Sequence, residues 1–141
     1  MTKTLTLKVL FVEDKPLVQK SIEGYMREYA FVREFVTDLP EFRVKFPRFK
    51  PDAVVVDYDL KSGRYYNEIF QIIDAESRQT NRFIGLVGVT GLDPFPKIKK
   101  EFISAGYHAA FFDNGTEDFY LDLVGTFGKF QDQLNGKKIF K

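Results

Sequence analysis

The sequence contains no cysteine, which excludes disulfides and thiolate metal sites. It contains one histidine, His108. That argues against a His-cluster metal site and against a Ser-His-Asp triad supported by several histidines, so a structural role is expected for His108. An excess of one charge is also missing, since 21 Lys and Arg stand against 20 Asp and Glu. So balanced a chain gives no electrostatic case for nucleic acid or for an anionic membrane surface. The uncharged run between Arg82 and Asp93, like the one between Glu101 and Asp113, is far too short to span a bilayer. The first residues lack the apolar block and small-residue cleavage site of a secretory signal, which makes the cytoplasm the expected location.

What is there belongs to an ordinary soluble globular chain. The 141 residues are 44% hydrophobic and 29% charged, enough to bury a core. Aromatic residues reach 16%, mostly Phe, so a Phe-rich core is expected. No repeat, low-complexity block or linker interrupts the chain, and short apolar runs alternate with amphipathic stretches. Leu7 to Val12 reads as a strand, and Pro16 can open a helix, because the first turn has no use for the missing N–H. Val18, Ile22, Tyr25, Met26 and Tyr29 recur at helical spacing. Phe31 to Val36 reads as a second strand. Leu39 to Phe49 is a weaker helical stretch, with Pro47 and Pro51 expected to end it.

Ala53 to Val56 is a β-branched run suited to a strand buried on both faces. Ile69, Ile72 and Ile73 indicate a third helix running to about Arg78. Phe83 to Val89 reads as another buried strand, and Ile98, Phe102 and Ile103 mark a fourth helix stopped by Gly106. Ala109 to Phe112 is a fifth short strand. Asn114 can cap a last helix, with Glu117 placed to accept from the cap backbone and Tyr120, Leu123, Val124, Phe127 and Leu134 on its core face. Five strands alternating with five helices predict a three-layer α/β fold, a parallel sheet joined by right-handed crossovers.

In open α/β sheets ligands bind beyond the carboxyl ends of the strands. The first strand ends in Glu13-Asp14, the third in Asp57 with Asp59 two residues on, the fourth in Thr90-Gly91 and the fifth in Asp113-Asn114. In the flavodoxin-like strand order 2-1-3-4-5, Glu13, Asp14 and Asp57 converge. Two charges ~4 Å apart at an effective dielectric of ~20 interact by about 4 kcal/mol. Such a cluster needs a divalent cation or raised pKa values, and oxygen ligands favour Mg²⁺ or Mn²⁺ over zinc. A carboxylate beside such an ion can act as a nucleophile toward phosphorus. Each residue also has a plainer use: Glu13 and Asp14 suit a helix N-terminus, and an Asp at a strand end suits a turn.

At these residues the chain resembles the receiver domains of bacterial response regulators, over nearly its whole length. Val9-Leu-Phe-Val-Glu-Asp-Lys-Pro-Leu-Val looks like the family's first strand, acidic pair and first helix start. Pro51-Asp52-Ala-Val-Val-Val-Asp57 looks like the entry to its phosphoacceptor strand. Gly63 falls where the family often has a loop glycine, Val87 to Gly91 looks like the strand carrying the switch hydroxyl, and Ser104-Ala-Gly106 resembles the turn before the fifth strand. The resemblance implies a single receiver domain over residues 1–141. By it, Asp57 accepts a phosphoryl group from the phosphohistidine of a histidine kinase or phosphotransfer protein. Mg²⁺ (or Mn²⁺) is held by Glu13, Asp14, Asp57 and the backbone carbonyl of Asp59, and Thr90 and Gly91 contact the phosphoryl group. No enzymatic turnover is expected beyond loss of the chain's own phosphoryl group. The fold uses the whole chain, so output is expected through protein binding by the last helices and strand, with homodimer formation left open.

Three departures stand out. Family members usually end the fifth strand with Lys-Pro, and counting from Gly106 this chain has Asp113-Asn114 there. The usual aromatic switch position falls on Ala110, although a one-residue shift would bring in Phe111. Lys61 stands where a proline is common. Lys15 and Lys61 are the candidates to supply the missing positive charge.

Other readings remain open. A receiver-shaped interaction module that is never phosphorylated fits the acid at position 113. Val54-Val-Val-Asp57-Tyr-Asp59-Leu resembles the first motif of haloacid-dehalogenase-type phosphatases, but that motif normally lies on the first strand of a longer chain. A flavodoxin would need a hydroxyl- and glycine-rich phosphate cradle where this chain has Glu-Asp-Lys-Pro. Phe42 to Lys50 interleaves bases and aromatics, for which a solvated amphipathic helix is preferred to nucleic-acid binding.

Overall fold

Each strand of the protein is short, and each is followed by a helix. The computed structural model describes residues 5–140. The order is β1 (Lys8–Val12), α1 (Pro16–Met26), β2 (Val32–Val36), α2 (Leu39–Phe49), β3 (Ala53–Asp57), α3 (Tyr66–Thr80), β4 (Gly85–Thr90), α4 (Phe95–Ala105), β5 (Ala109–Phe112) and α5 (Glu117–Leu134). The five strands form one sheet in the order β2-β1-β3-β4-β5, and every pairing is parallel. This is the expected flavodoxin-like topology.

Alternation along the strands divides the core in two. Leu10, Val54, Val56 and Leu86 face α2, α3 and α4, where Phe42, Phe46, Ile69, Ile73, Ile98 and Phe102 cover them. Val9, Phe11, Val55 and Val87 face α1 and α5, where Ile22, Met26, Leu123, Phe127 and Phe130 cover them. β3 and β4 are buried along their full length, as a central parallel strand covered on both sides must be. β4 carries one glycine toward each layer. A Cβ on Gly88 would lie 2.3 Å from the Phe102 ring, and one on Gly85 would lie 2.4 Å from the Phe130 ring. Each helix layer thus sets a phenyl ring directly on the backbone of the strand below it.

α2 has the bounds read from the sequence, but Pro47 does not end it, and α5 starts later than expected. α2 continues through Pro47 to Phe49 and ends at Lys50 in the left-handed conformation, its N–H bonded to the Phe46 carbonyl. Pro47 removes one donor, but Pro47 and Arg43 lie on the exposed side, where water can satisfy the freed carbonyl. Burial of Phe42, Phe46 and Phe49 on the other side keeps the helix whole. α5 begins at Glu117 with Thr116 as its cap residue, not at Asn114. The Asn114 Oδ1 instead accepts from the Thr116 N–H and hydroxyl, a local turn that competes with direct capping.

The amino ends of the strands are tied by Asp52. Its Oδ2 accepts from the Lys8 N–H at 2.8 Å, its own N–H donates to the Lys8 carbonyl at 2.7 Å, and its carbonyl accepts from the Gly85 N–H at 2.9 Å. Arg82 adds bonds to Asp52 Oδ1 and the Pro51 carbonyl. One residue therefore joins β1, β3 and β4 at the pole opposite the strand ends that carry the acids. Nearby, His108 extends the β4–β5 ladder: its N–H donates to the Leu86 carbonyl at 2.9 Å and its Nδ1 accepts from the Leu86 N–H at 3.0 Å. Phe83, Phe130 and Phe140 surround the ring. His108 is structural, as expected.

Candidate functional site

The parallel order puts β1 beside β3, with Val12 in register with Val56, so the residues that follow both strands meet. Glu13 and Asp57 are each only 6% exposed. One carboxylate oxygen from each of Glu13, Asp14 and Asp57 lies within 4.8 Å of the others. Burial and mutual repulsion shape their protonation. Burial, with the Asp57 charge adding to it, pushes the Glu13 carboxyl up to about 8 against the backbone bond and charge of Lys15. Burial also raises Asp57, against its hydrogen bond and ion pair with Lys15. Even with the Lys15 ammonium beside them, and with no divalent ion, the pair holds a proton at neutral pH.

Lys15 reaches into the middle of this cluster. It precedes Pro16, which restricts it to the extended conformation it adopts as the cap residue of α1. Its Nζ donates to Asp57 Oδ2 at 2.9 Å and to the Asp59 carbonyl at 3.2 Å. It also stands 3.8 Å from Glu13 Oε2 and 3.7 Å from Asp14 Oδ1. Desolvation works against the Lys15 charge, but Asp57, Glu13 and Asp14 outweigh it and raise its pKa. The second candidate cation is placed differently. Lys61 is exposed, and it serves the cluster through its backbone N–H, which donates to Asp14 Oδ2. Among the described residues its ammonium makes no ion pair, so of the two lysines only Lys15 supplies charge at the site.

The residues present fit an oxygen-loving divalent ion. The donors are hard oxygens, and Asp14 Oδ1 is buried without any hydrogen bond, an orphaned acceptor that a cation would satisfy. Glu13, Asp14, Asp57 and the Asp59 carbonyl would hold the ion.

A pocket of ≈ 320 Å³ opens beside Asp57, and its lining includes Thr90, Gly91, Asp113 and Tyr120. Thr90 is 1% exposed, and its Oγ1 accepts from the Leu92 N–H at 3.0 Å. Asp113 faces the same pocket, but its Oδ1 accepts from the Gly115 N–H at 2.9 Å, so part of its charge is spent on its own turn. Ala110 is buried in the α2–α4 layer, whereas Phe111 packs in the α1–α5 layer. The two residues therefore face opposite sides of the sheet. The residue in register with Thr90 is Phe112, which packs against Phe95 of α4 at 5.8 Å.

Sequence reasoning missed the aromatic layer next to the site. Tyr58 follows Asp57 directly and is 4% exposed. Its hydroxyl donates to Glu101 Oε2 at 2.6 Å and accepts from Arg64 Nη1 at 3.2 Å. The Arg64 guanidinium lies 4.5 Å from the Tyr58 ring centre and pairs with Asp59 at 3.3 Å. Tyr120, which stacks on Tyr25 at 4.1 Å, was read only as core although it also lines the pocket. Glu101 carries no local sequence signal, because 43 positions separate it from Tyr58.

No family model and no curated protein matches the sequence. Solved structures do match. The chemotaxis response regulator CheY4 of Vibrio cholerae superposes with a TM-score of 0.71 at 16% identity, over 86% of this chain and 98% of that one. The signal receiver domain of a putative Luxo repressor protein from Vibrio parahaemolyticus gives 0.73 at 17% identity, over 94% and 100%. The Mn(2+)-bound form of response regulator Rcp1 gives 0.66 at 12% identity, over 89% and 94%. The chain has the fold of CheY-like receiver domains. Among the described residues no helix is long and apolar enough to cross a membrane.

Proposed function

We propose that the protein is a receiver module of two-component signalling, a single domain in which Asp57 is the phosphoacceptor. The observation that carries this reading is a buried carboxylate at the end of β3, held within 4.8 Å of two further acids beside a pocket lined by Thr90. In the reaction, an Asp57 oxygen attacks the phosphorus of a phosphohistidine on a histidine kinase or phosphotransfer protein. The P–N bond breaks, and the imidazole leaves with its electron pair. A bound Mg²⁺ or Mn²⁺ would neutralise charge gathering on the phosphoryl oxygens. The chain's own contribution is to keep Asp57 desolvated and oriented, with the Asp59 N–H 3.5 Å from Asp57 Oδ1, and to offer the Thr90 hydroxyl and Gly91 at the pocket wall. Output passes to another protein through α4, β5 and α5.

The test is incubation with acetyl phosphate and Mg²⁺, read by intact mass. The parent gains one phosphoryl group and Asp57→Asn gains none. Label that persists in Asp57→Asn overturns the assignment.

A second reading, an interaction module that works without phosphorylation, is favoured by one observation: Asp113 lines the pocket that would receive the phosphoryl group. A dianion a few Å from that carboxylate would be repelled by several kcal/mol at an effective dielectric of ~20. Under this reading the parent stays unlabelled, whereas Asp113→Lys, which removes the repulsion, becomes labelled. The aromatics of the Phe42–Lys50 stretch give no support to nucleic-acid binding, since Phe42, Phe46 and Phe49 are buried and cannot stack on bases.

A further inference from the structure

The residues whose oxygens suit a divalent ion are the same ones that surround one ammonium group. Lys15 Nζ is bonded to Asp57 Oδ2 and to the Asp59 carbonyl and stands within 3.8 Å of Glu13 Oε2 and Asp14 Oδ1. We infer that Lys15 is the resident cation of this site, a tethered charge that holds the place of the divalent ion and must be expelled before that ion can bind. The inference rests on the reading of the acidic cluster as a receiver site, and it adds what controls access to that site.

Three features favour a resident role over a chance surface ion pair. The lysine is anchored where it can do nothing else cheaply. Its backbone is fixed as the cap of α1 before Pro16, and its N–H donates to Glu13 Oε2 at 3.1 Å. Its partners are buried, so without the ammonium three carboxyl groups would face one another with little water. And among the described residues no other lysine or arginine side chain pairs with Glu13, Asp14 or Asp57: Lys61 makes no ion pair, and Arg64 is committed to Asp59 and Tyr58. The side chain itself is 55% exposed, so an exit path to solvent is open. A charge that is well placed but poorly enclosed is suited to being displaced.

A divalent ion at the same oxygens cannot share them with an ammonium at 2.9 Å from Asp57. Entry therefore costs the Lys15–Asp57 pair, and the chain binds its ion more weakly than the acids alone would allow. Once expelled, Lys15 stays on the rim of the Asp57 pocket, within reach of an anion seated there.

Lys15→Met keeps the length of the side chain and removes the charge. The parent, Lys15→Met and the exposed-lysine control Lys20→Met are melted in EDTA and in Mn²⁺, and Mn²⁺ binding is followed by the loss of its free electron paramagnetic resonance signal. Lys15→Met is expected to melt several degrees lower than the parent in EDTA and to bind Mn²⁺ about tenfold tighter, the equivalent of one partly buried ion pair. It should therefore gain more from Mn²⁺ than the parent does, while Lys20→Met follows the parent throughout. Unchanged melting of Lys15→Met in EDTA, or Mn²⁺ affinity equal to or weaker than the parent's, overturns the inference. Failure of the receiver reading looks different. If neither protein binds Mn²⁺ but Lys15→Met still loses stability in EDTA, the divalent site is wrong and the resident cation stands. Acetyl phosphate labelling of Asp57 reports on phosphoryl transfer separately.

Discussion

Glu13 makes the stability of the metal-free protein fall as the solution becomes more alkaline, the reverse of what an ordinary paired carboxylate does. Its carboxyl titrates near 4.5 when free and near 8 in the fold. Between those values the folded chain keeps a proton that the unfolded chain has released. Stability is thus fully present below about pH 4.5 and is lost as the pH rises through 8, at no more than about 1.4 kcal/mol per pH unit. The ceiling over the whole window is about 5 kcal/mol, and sharing of the proton with Asp57 brings the expected loss to roughly 2–4 kcal/mol. For a chain of this size that is roughly 5–15 °C in Tm. The assay is a series of thermal melts in EDTA from pH 5 to pH 8.5 on the parent and on Glu13→Gln, which keeps the shape and has no proton to lose. The parent's Tm should fall relative to the variant's across the series. Saturating Mg²⁺ should remove the fall, because the ion takes the proton's place. A difference between parent and variant that is flat with pH, or that grows in the parent's favour, refutes the reasoning.

His108 should act in the opposite direction. Burial lowers its pKa from 6.5, so its contribution is complete above about 6.5 and is lost as the pH falls through its lower folded value; NMR should find the ring titrating below 6.5, and an ordinary titration at or above 6.5 would contradict this. Gly88→Ala should cost roughly 2–3 kcal/mol in urea unfolding, since Phe102 is itself enclosed by Tyr58, Tyr66 and Tyr107 and cannot back away. Trimming that ring in Gly88→Ala/Phe102→Leu should recover part of the loss, and a fully additive double variant would show that the clash is not the cause.

The strands and the acidic pole were legible because both depend on local pattern. A β-branched run such as Val54-Val-Val is read directly, and an acid directly after it can be placed at a strand end by counting. Pro47 misled because its cost depends on which side of α2 it faces, and that follows from what Phe42 and Phe46 are buried against. Asn114 misled because its short side chain satisfies the next turn before it can satisfy the helix. The choice between Lys15 and Lys61 was left open because a side chain of four methylenes reaches in many directions. What decides it is the extended backbone before Pro16 together with the position of Asp57, 42 residues away. The Tyr58–Glu101 contact was invisible for the same reason: the two meet only once α4 is packed on the sheet.

Asp52 gives the two poles of the sheet different characters. At its own pole three strands are clamped through one aspartate whose carboxylate and backbone are bonded on all sides. At the other pole three carboxyls face one another with the Lys15 ammonium among them. Thermal opening will therefore run from one end of the strands only. The amides beside Asp52 should exchange with solvent water last, and those leading into Glu13 and Thr90 first. The chain behaves as a tuning fork held at the stem: rearrangements at the tines, whether from a metal, a phosphoryl group or a partner, can be large without loosening the grip that defines the fold.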